Sequence, residues 1–196
     1  MKKATLPKRR HLRSLKMNEK RFTGAIEKLR NPERSARMQL DRVIAYSLSG
    51  CDVARVLDIG TGTGLFAEAF KARGFEVCGI DCNDQYLQVA RELVAGVEFS
   101  NAFAEKLPFA DLSFDLVFMS HVLHETDDSL QAMREAFRVT RKRLAVLEWP
   151  YCKQEIGPPL DHRMPSETIK QLGEQAGFAL CDQIQLKLMH LSIFDR

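Results

Sequence analysis

Short apolar runs alternate along the chain with stretches whose apolar positions recur every three or four residues. The runs predict strands over 54–59, 76–81, 97–102, 114–120 and 144–149, and the periodic stretches predict helices over 65–73, 85–94, 129–139 and 166–175. In the helix over 129–139, Leu130, Met133, Ala136 and Phe137 share one face and leave Arg134 and Arg138 outward. Residues 178–194 lack a helical interruption and suit two further strands. Ahead of this region, 22–30 and 34–47 each read as a helix, separated by Pro32. The second puts Met38, Val43, Ile44 and Leu48 on one apolar face and ends before Gly50. Strand–helix alternation of this kind predicts an α/β fold: a mostly parallel sheet with helices on both faces, here with an N-terminal helical extension. No internal repeat and no linker divides the pattern.

Composition narrows this picture. With 196 residues, 45% hydrophobic and 28% charged, the chain is long enough to bury a core and too rich in apolar residues for disorder. No apolar run is long enough to span a bilayer, and none follows the first basic residues as a secretory leader would. The five cysteines (Cys51, Cys78, Cys82, Cys152, Cys181) are scattered without paired spacing, which predicts reduced thiols, no metal site and a cytoplasmic location.

The net charge of +3 hides a division. Residues 1–21 hold nine basic side chains against Glu19, a local +8 that leaves −5 for the remaining 175 residues. Residues 1–20 are therefore expected to form a basic, flexible arm. Such an arm can meet nucleic-acid phosphates, but it has almost no aromatic residues for base stacking, and a solvated terminus is favoured.

The most informative run is residues 56–64, VLDIGTGTG. An apolar strand ends at Asp58, and a glycine-rich turn opens a helix at Leu65. The backbone must turn sharply there, and a Cβ would block close approach of a ligand. A dinucleotide site would want glycine where this chain has Leu65. Asp58 at the strand end disfavours a pyrophosphate and favours a positive amino group. Asp81, at the end of the next strand, is placed to accept from both ribose hydroxyls. A nucleoside with a cationic, amino-acid-like tail satisfies both carboxylates.

S-adenosylmethionine has that composition, and the chain resembles the class I S-adenosylmethionine-dependent methyltransferases, in the branch similar to the ubiquinone/menaquinone-type enzymes. The resemblance is carried by VLDIGTGTG, by GIDCND with Asp81, by AEKLPF (104–109), by SFDLVFMSHVLHE (113–125) and by LAVLEWP (144–150). GPPLDHR (157–163), PSETIKQLGEQAGF (165–178) and RFTGAIEKLRNPER (21–34) extend it from about residue 21 to the end. It implies a Rossmann-like, seven-stranded sheet with an antiparallel last strand. It also implies one methyltransferase domain over 21–196, with a helical cap over 21–50 and the Rossmann-like core over 53–196. By position, Asp58, Gly60 and Gly62 would line the methionine part of the cofactor and Asp81 the ribose. Cys82, Ala104 and Glu105 would lie at the adenine, and Ser120 would face the methionine end. Two positions depart from the family pattern. Phe103 stands where an Asp often binds the adenine amino group, and Thr140-Arg141-Lys142-Arg143 replaces a Pro-Gly-Gly turn before the fifth strand.

Methyl transfer from a sulfonium needs alignment and exclusion of water, and a general base only where the acceptor must lose a proton. The candidates lie where the fourth and fifth strands end. His121 and His124 would share the face of a helical turn, His121 as a base and His124 toward the substrate, with a packing role for either as the alternative. Glu148 and Tyr151 follow the fifth strand as further catalytic candidates. Arg163 closes a proline-stiffened loop as a substrate contact or, alternatively, as a bridge to a carboxylate. The expected function is methyl transfer to a small-molecule acceptor, with S-adenosylhomocysteine as the other product. The alternatives are an RNA or protein methyltransferase using the basic arm, and a cofactor-binding regulatory protein without turnover. The acceptor and the oligomeric state are not legible in the sequence.

Overall fold

The computed structural model describes residues 29–196. The basic arm, and nearly all of the helix expected over 22–30, lie outside the described residues. Seven strands form one sheet: β1 (Arg55–Ile59), β2 (Glu76–Asp81), β3 (Glu98–Asn101), β4 (Phe114–Ser120), β5 (Thr140–Glu148), β6 (Ala179–Gln185) and β7 (His190–Asp195). Their spatial order is β3-β2-β1-β4-β5-β7-β6. All neighbours pair in parallel except β7, which runs antiparallel to β5 and to β6. The chain thus has the expected Rossmann-like sheet with an antiparallel last strand.

The central strands are buried on both faces, so they read as continuous apolar runs. Val56, Leu116 and Phe118 face a core containing Phe66, Phe70 and Ile44. Leu57, Val117 and Met119 face the opposite core, with Met133, Ile169 and Phe178. The layers are supplied by α1 (Pro32–Met38), α2 (Leu40–Leu48), α3 (Leu65–Lys71), α4 (Asp84–Leu93), α5 (Ser129–Val139) and α6 (Ser166–Ala176). Side-chain caps open three of them: Asn31 accepts from the Glu33 amide, Asn83 from that of Gln85 and Asp128 from that of Gln131. Among the described residues, no helix is long and apolar enough to cross a membrane.

Three local expectations are corrected. The single helix over 34–47 is two, broken at Gln39, whose backbone is left-handed at φ 50°. The Gln39 side chain accepts from the Lys187 amide at 3.0 Å, a contact 148 residues away that pins the break. Thr140–Arg143 is not a turn: β5 begins directly after α5. The basic side chains at its start are met by Asp115 (Arg141, 2.9 Å) and Asp195 (Arg143, 2.7 Å). Arg138, expected outward, instead pairs with Glu135 and Asp111 and donates to the carbonyls of Leu107 and Phe109.

Candidate functional site

The carboxyl ends of β1, β2 and β4 open into a cavity of about 1060 Å³, where ligands of open α/β sheets collect. Its floor is the glycine turn. Gly60 has φ +67°, and a Cβ there would lie 2.0 Å from Val122 Cγ2. Gly62, at φ +55°, is the opposite case: a Cβ would meet nothing nearer than Leu29 Cδ1 at 3.8 Å and would project into ligand space. The Gly62 amide donates to Asp81 Oδ2 at 2.9 Å, and the Asn83 amide to Asp81 Oδ1 at 2.8 Å, so the end of β2 fixes the turn. Arg30 clamps it from above, donating twice to the Thr63 carbonyl while pairing with Glu68. Among the described residues, the buried Thr63 hydroxyl finds no hydrogen-bond partner.

A buried carboxyl, Asp58, and a half-buried one, Asp81, face this floor. Burial pushes the Asp58 carboxyl up to about 7, with the nearby Asp81 charge adding to the rise, against hydrogen bonds from the Thr61 hydroxyl and the Ala67 amide. Burial also raises Asp81, against the amides of Asn83 and Gly62. A wall that holds two desolvated carboxyls, an open glycine and an orphaned hydroxyl fits a ligand with a positive amino group and a sugar diol.

Cys82, Ala104, Glu105 and Ser120 also line the cavity, as does Phe103. The Glu105 carboxylate accepts from the Asp127 amide at 2.9 Å. Ser120 Oγ lies 3.0 Å from His121 Nδ1. The structure therefore gathers all eight residues expected around the cofactor onto one cavity.

The other expected residues divide. His121 and His124 do not share a helical face, because His121 has φ 58° and only Leu123–Glu125 form a short 3-10 turn. The His121 ring is wedged between Ser120, Met189 Sδ (3.1 Å) and the Trp149 ring, 5.0 Å between centroids. Burial pushes it down to about 3, so it is neutral near pH 7 and a poor proton acceptor there. His124 lines the cavity, and its Nδ1 is 2.6 Å from Glu148 Oε2; the Glu148 carboxylate also accepts from the His124 amide at 3.3 Å. Glu148 is 1% exposed. Burial would raise its carboxyl, yet the adjacent His124 ring, with His121 behind it, holds it below the usual carboxylate range.

Tyr151 and Arg163 are taken away from the cavity. Tyr151 is 53% exposed and borders a small separate cleft instead. Arg163 is buried and spent on its own loop. It donates to the carbonyls of Pro150, Cys152, Ile156 and Pro158 and to Gln154 Oε1, at 2.7–3.2 Å, while lying over the Trp149 ring. Its partners are backbone oxygens rather than the expected carboxylate. The loop it staples does cover the cavity, with Ile156, Gly157 and Pro158 in the lining. Arg163→Ala leaves four part-buried loop carbonyls without their donor and is expected to cost about 2–3 kcal/mol. The expected result is a Tm lower by several degrees and faster tryptic cleavage at Lys153. Arg163→Lys restores little, since an ammonium cannot fork across five acceptors.

Residues that the sequence reading left out also line the cavity: Leu29, Arg34, Arg37 and Met189. Trp149, directly after β5, joins them. Among the described residues, no group of three His, Cys, Asp or Glu side chains is placed to hold a metal ion.

Comparison with known proteins agrees with this geometry. Residues 57–145 match the family described as a methyltransferase domain. The chain is 40% identical over 88 residues to the demethylmenaquinone methyltransferase of Chlorobaculum parvum, covering 44% of this chain and 36% of that protein. It is 40% identical over 106 residues to the ubiquinone/menaquinone biosynthesis C-methyltransferase of Pasteurella multocida, covering 48% and 40%. The matches thus span less than half the length of these relatives. Over a greater length, the fold is similar to that of a SAM-dependent methyltransferase from Aquifex aeolicus, with a TM-score of 0.79 at 24% identity, covering 87% of this chain and 96% of that one.

Proposed function

We propose that this chain, a member of the class I S-adenosylmethionine-dependent methyltransferases, transfers a methyl group from that cofactor to a small-molecule acceptor. The observation that carries the reading is the single cavity joining the glycine turn and Asp81 to the His124–Glu148 pair beneath one covering loop. Its volume, about 1060 Å³, accommodates a nucleoside cofactor and a small acceptor together.

In this reading Asp58 faces the ammonium of the cofactor, Asp81 accepts from the ribose hydroxyls, and Gly60 and Gly62 let the backbone approach. Cys82, Ala104 and Glu105 border the adenine, and Ser120 borders the methionine end. The cofactor supplies a methyl group made electrophilic by a sulfonium and leaves as S-adenosylhomocysteine. The protein aligns the acceptor, excludes water and, where the acceptor carries a proton, removes it. His124 is assigned that proton. With Nδ1–H donated to Glu148, Nε2 is the basic nitrogen, and the buried carboxylate stabilises the imidazolium that forms. Glu148 is a positioning residue acting through His124, and His121 is a neutral wall that holds Trp149 and Met189 in place.

Asp58 gives a pH dependence with a definite sign. Below about 7 its carboxyl is protonated in the free protein and offers the ammonium no charge. Cofactor affinity is therefore expected to fall by up to about tenfold per unit as pH drops below 7, with a proton released on binding. Calorimetry in buffers of different ionisation enthalpy reads that release. Asp58→Asn should flatten the profile.

The function itself is tested by transfer of labelled methyl into fractionated cell extract. Label in small metabolites supports the proposal, and label in RNA or protein replaces it with a polymer methyltransferase. No label in any fraction supports a binding protein without turnover. We propose a single domain with a cytoplasmic location; the basic arm lies outside the described residues.

A further inference from the structure

Arg34 sits on α1 and lines the cavity, half-buried, together with Arg37 and Met38. The other buried and half-buried arginines among the described residues find oxygen. Arg30, Arg55 and Arg143 each meet a carboxylate, and Arg163 takes five acceptors. Arg34 does not. Among the described residues, the side-chain contact its guanidinium makes is Nε to Met38 Sδ at 3.4 Å, and a thioether is a weak acceptor. Arg37, one helical turn away, is held by Glu33 through its carbonyl and a 3.9 Å ion pair and adds a second positive charge. Burial and the Arg37 charge both work against the Arg34 cation, and Glu125 and Tyr86 offset them only in part. The Arg34 charge also reaches His121, on the wall that leads to His124.

A desolvated guanidinium without an oxygen partner is costly, and its fork matches the paired oxygens of a carboxylate or phosphate. Glu125, the carboxylate whose charge reaches Arg34, lies 3.7 Å from His124 Nε2, and the others on the cavity wall are engaged as well: Asp81 by two backbone amides, Asp58 by Thr61 and Glu148 by His124. We propose that the acceptor is an anion whose carboxylate or phosphate group pairs with Arg34, which makes Arg34 the residue that selects the substrate class. The inference rests on the methyl-transfer reading for calling this ligand the acceptor. The anion site stands on Arg34 itself.

Trp149 is the only tryptophan and lines the same cavity, so its fluorescence reports occupancy without turnover. The protein saturated with S-adenosylhomocysteine is titrated with benzoate, phenyl phosphate and uncharged benzamide. Benzoate or phenyl phosphate should bind at least about tenfold more tightly than benzamide, and the preferred one of the two identifies the anion. Arg34→Ala should abolish that preference, and Arg34→Lys should keep part of it. Affinity for S-adenosylhomocysteine should stay within about twofold, which also shows that the variants fold. Equal binding of the three probes, or a preference that survives in Arg34→Ala, overturns the proposal. A tenfold loss of S-adenosylhomocysteine affinity in Arg34→Ala overturns it too, because Arg34 would then serve the carboxylate of the cofactor. If the anion preference is present but no methyl transfer is found in the labelled extract, only the transfer reading fails.

Discussion

Asp81→Ala is expected to lower the affinity for S-adenosylmethionine about a hundredfold in calorimetry. The side chain has two tasks. On the protein side it accepts from the Gly62 and Asn83 amides and so holds the glycine turn against the end of β2. On the ligand side, as proposed, its remaining lone pairs take the ribose hydroxyls. Hydrogen bonds to a charged group are worth about 1.5–3 kcal/mol each, and losing two of them accounts for a hundredfold without any collapse of the turn. Asp81→Asn separates the two tasks, because its carbonyl oxygen still accepts from one backbone amide while the charge is gone. It should keep the wild-type Tm within a few degrees and still lose about tenfold in affinity. Unchanged affinity in Asp81→Ala would remove the ribose assignment and leave Asp81 as a brace for the turn.

The same carboxylate shows why part of this protein was legible in its sequence. The predicted bounds 76–81 and 114–120 coincide with β2 and β4, since each is an apolar run ended by a polar residue at the sheet edge. The predicted helix over 129–139 coincides with α5, which starts on an Asp128 cap and stops where β5 begins. In these cases the local pattern and the tertiary environment agree. Elsewhere a distant partner decides. Nothing near Gln39 marks a break, because the break is held by the Lys187 amide. The run at Arg141–Arg143 looks too charged for a strand until Asp115 and Asp195 arrive from other strands to neutralise it. In the site, the glycine turn announced itself because backbone geometry demands glycine. Arg163 reads as a substrate contact or a carboxylate bridge because sequence displays the charge and hides the five oxygens that consume it. Arg34 was overlooked for the converse reason. On a short helix among Arg30, Arg37 and Glu33 it reads as one solvated charge among several, and only the fold turns it into the cavity.

The assignment of His124 makes the second large prediction. Glu148→Gln preserves the shape of the buried site but replaces the carboxylate that receives Nδ1–H and would stabilise the imidazolium. For an acceptor that must lose a proton, kcat is expected to fall about a hundredfold, as removal of general-base assistance does, with cofactor affinity unchanged. The acidic limb of the kcat profile should also move to lower pH, because an imidazole that keeps only Glu125, 3.7 Å from Nε2, and has lost the 2.6 Å carboxylate partner at Nδ1 binds its proton less firmly. That movement separates positioning from simple packing, which would change Tm and leave the limb in place. His124→Asn should lose as much as Glu148→Gln, and the double variant little more, since the two act as one unit. His121→Asn, chosen because asparagine tolerates the left-handed backbone at that position, provides the contrast. The wild-type ring, held near 3, is already neutral across the working range. Its replacement should alter KM through Trp149 and Met189 and leave the acidic limb where it was. A limb that moved with His121 and stayed with Glu148 would return the base to His121.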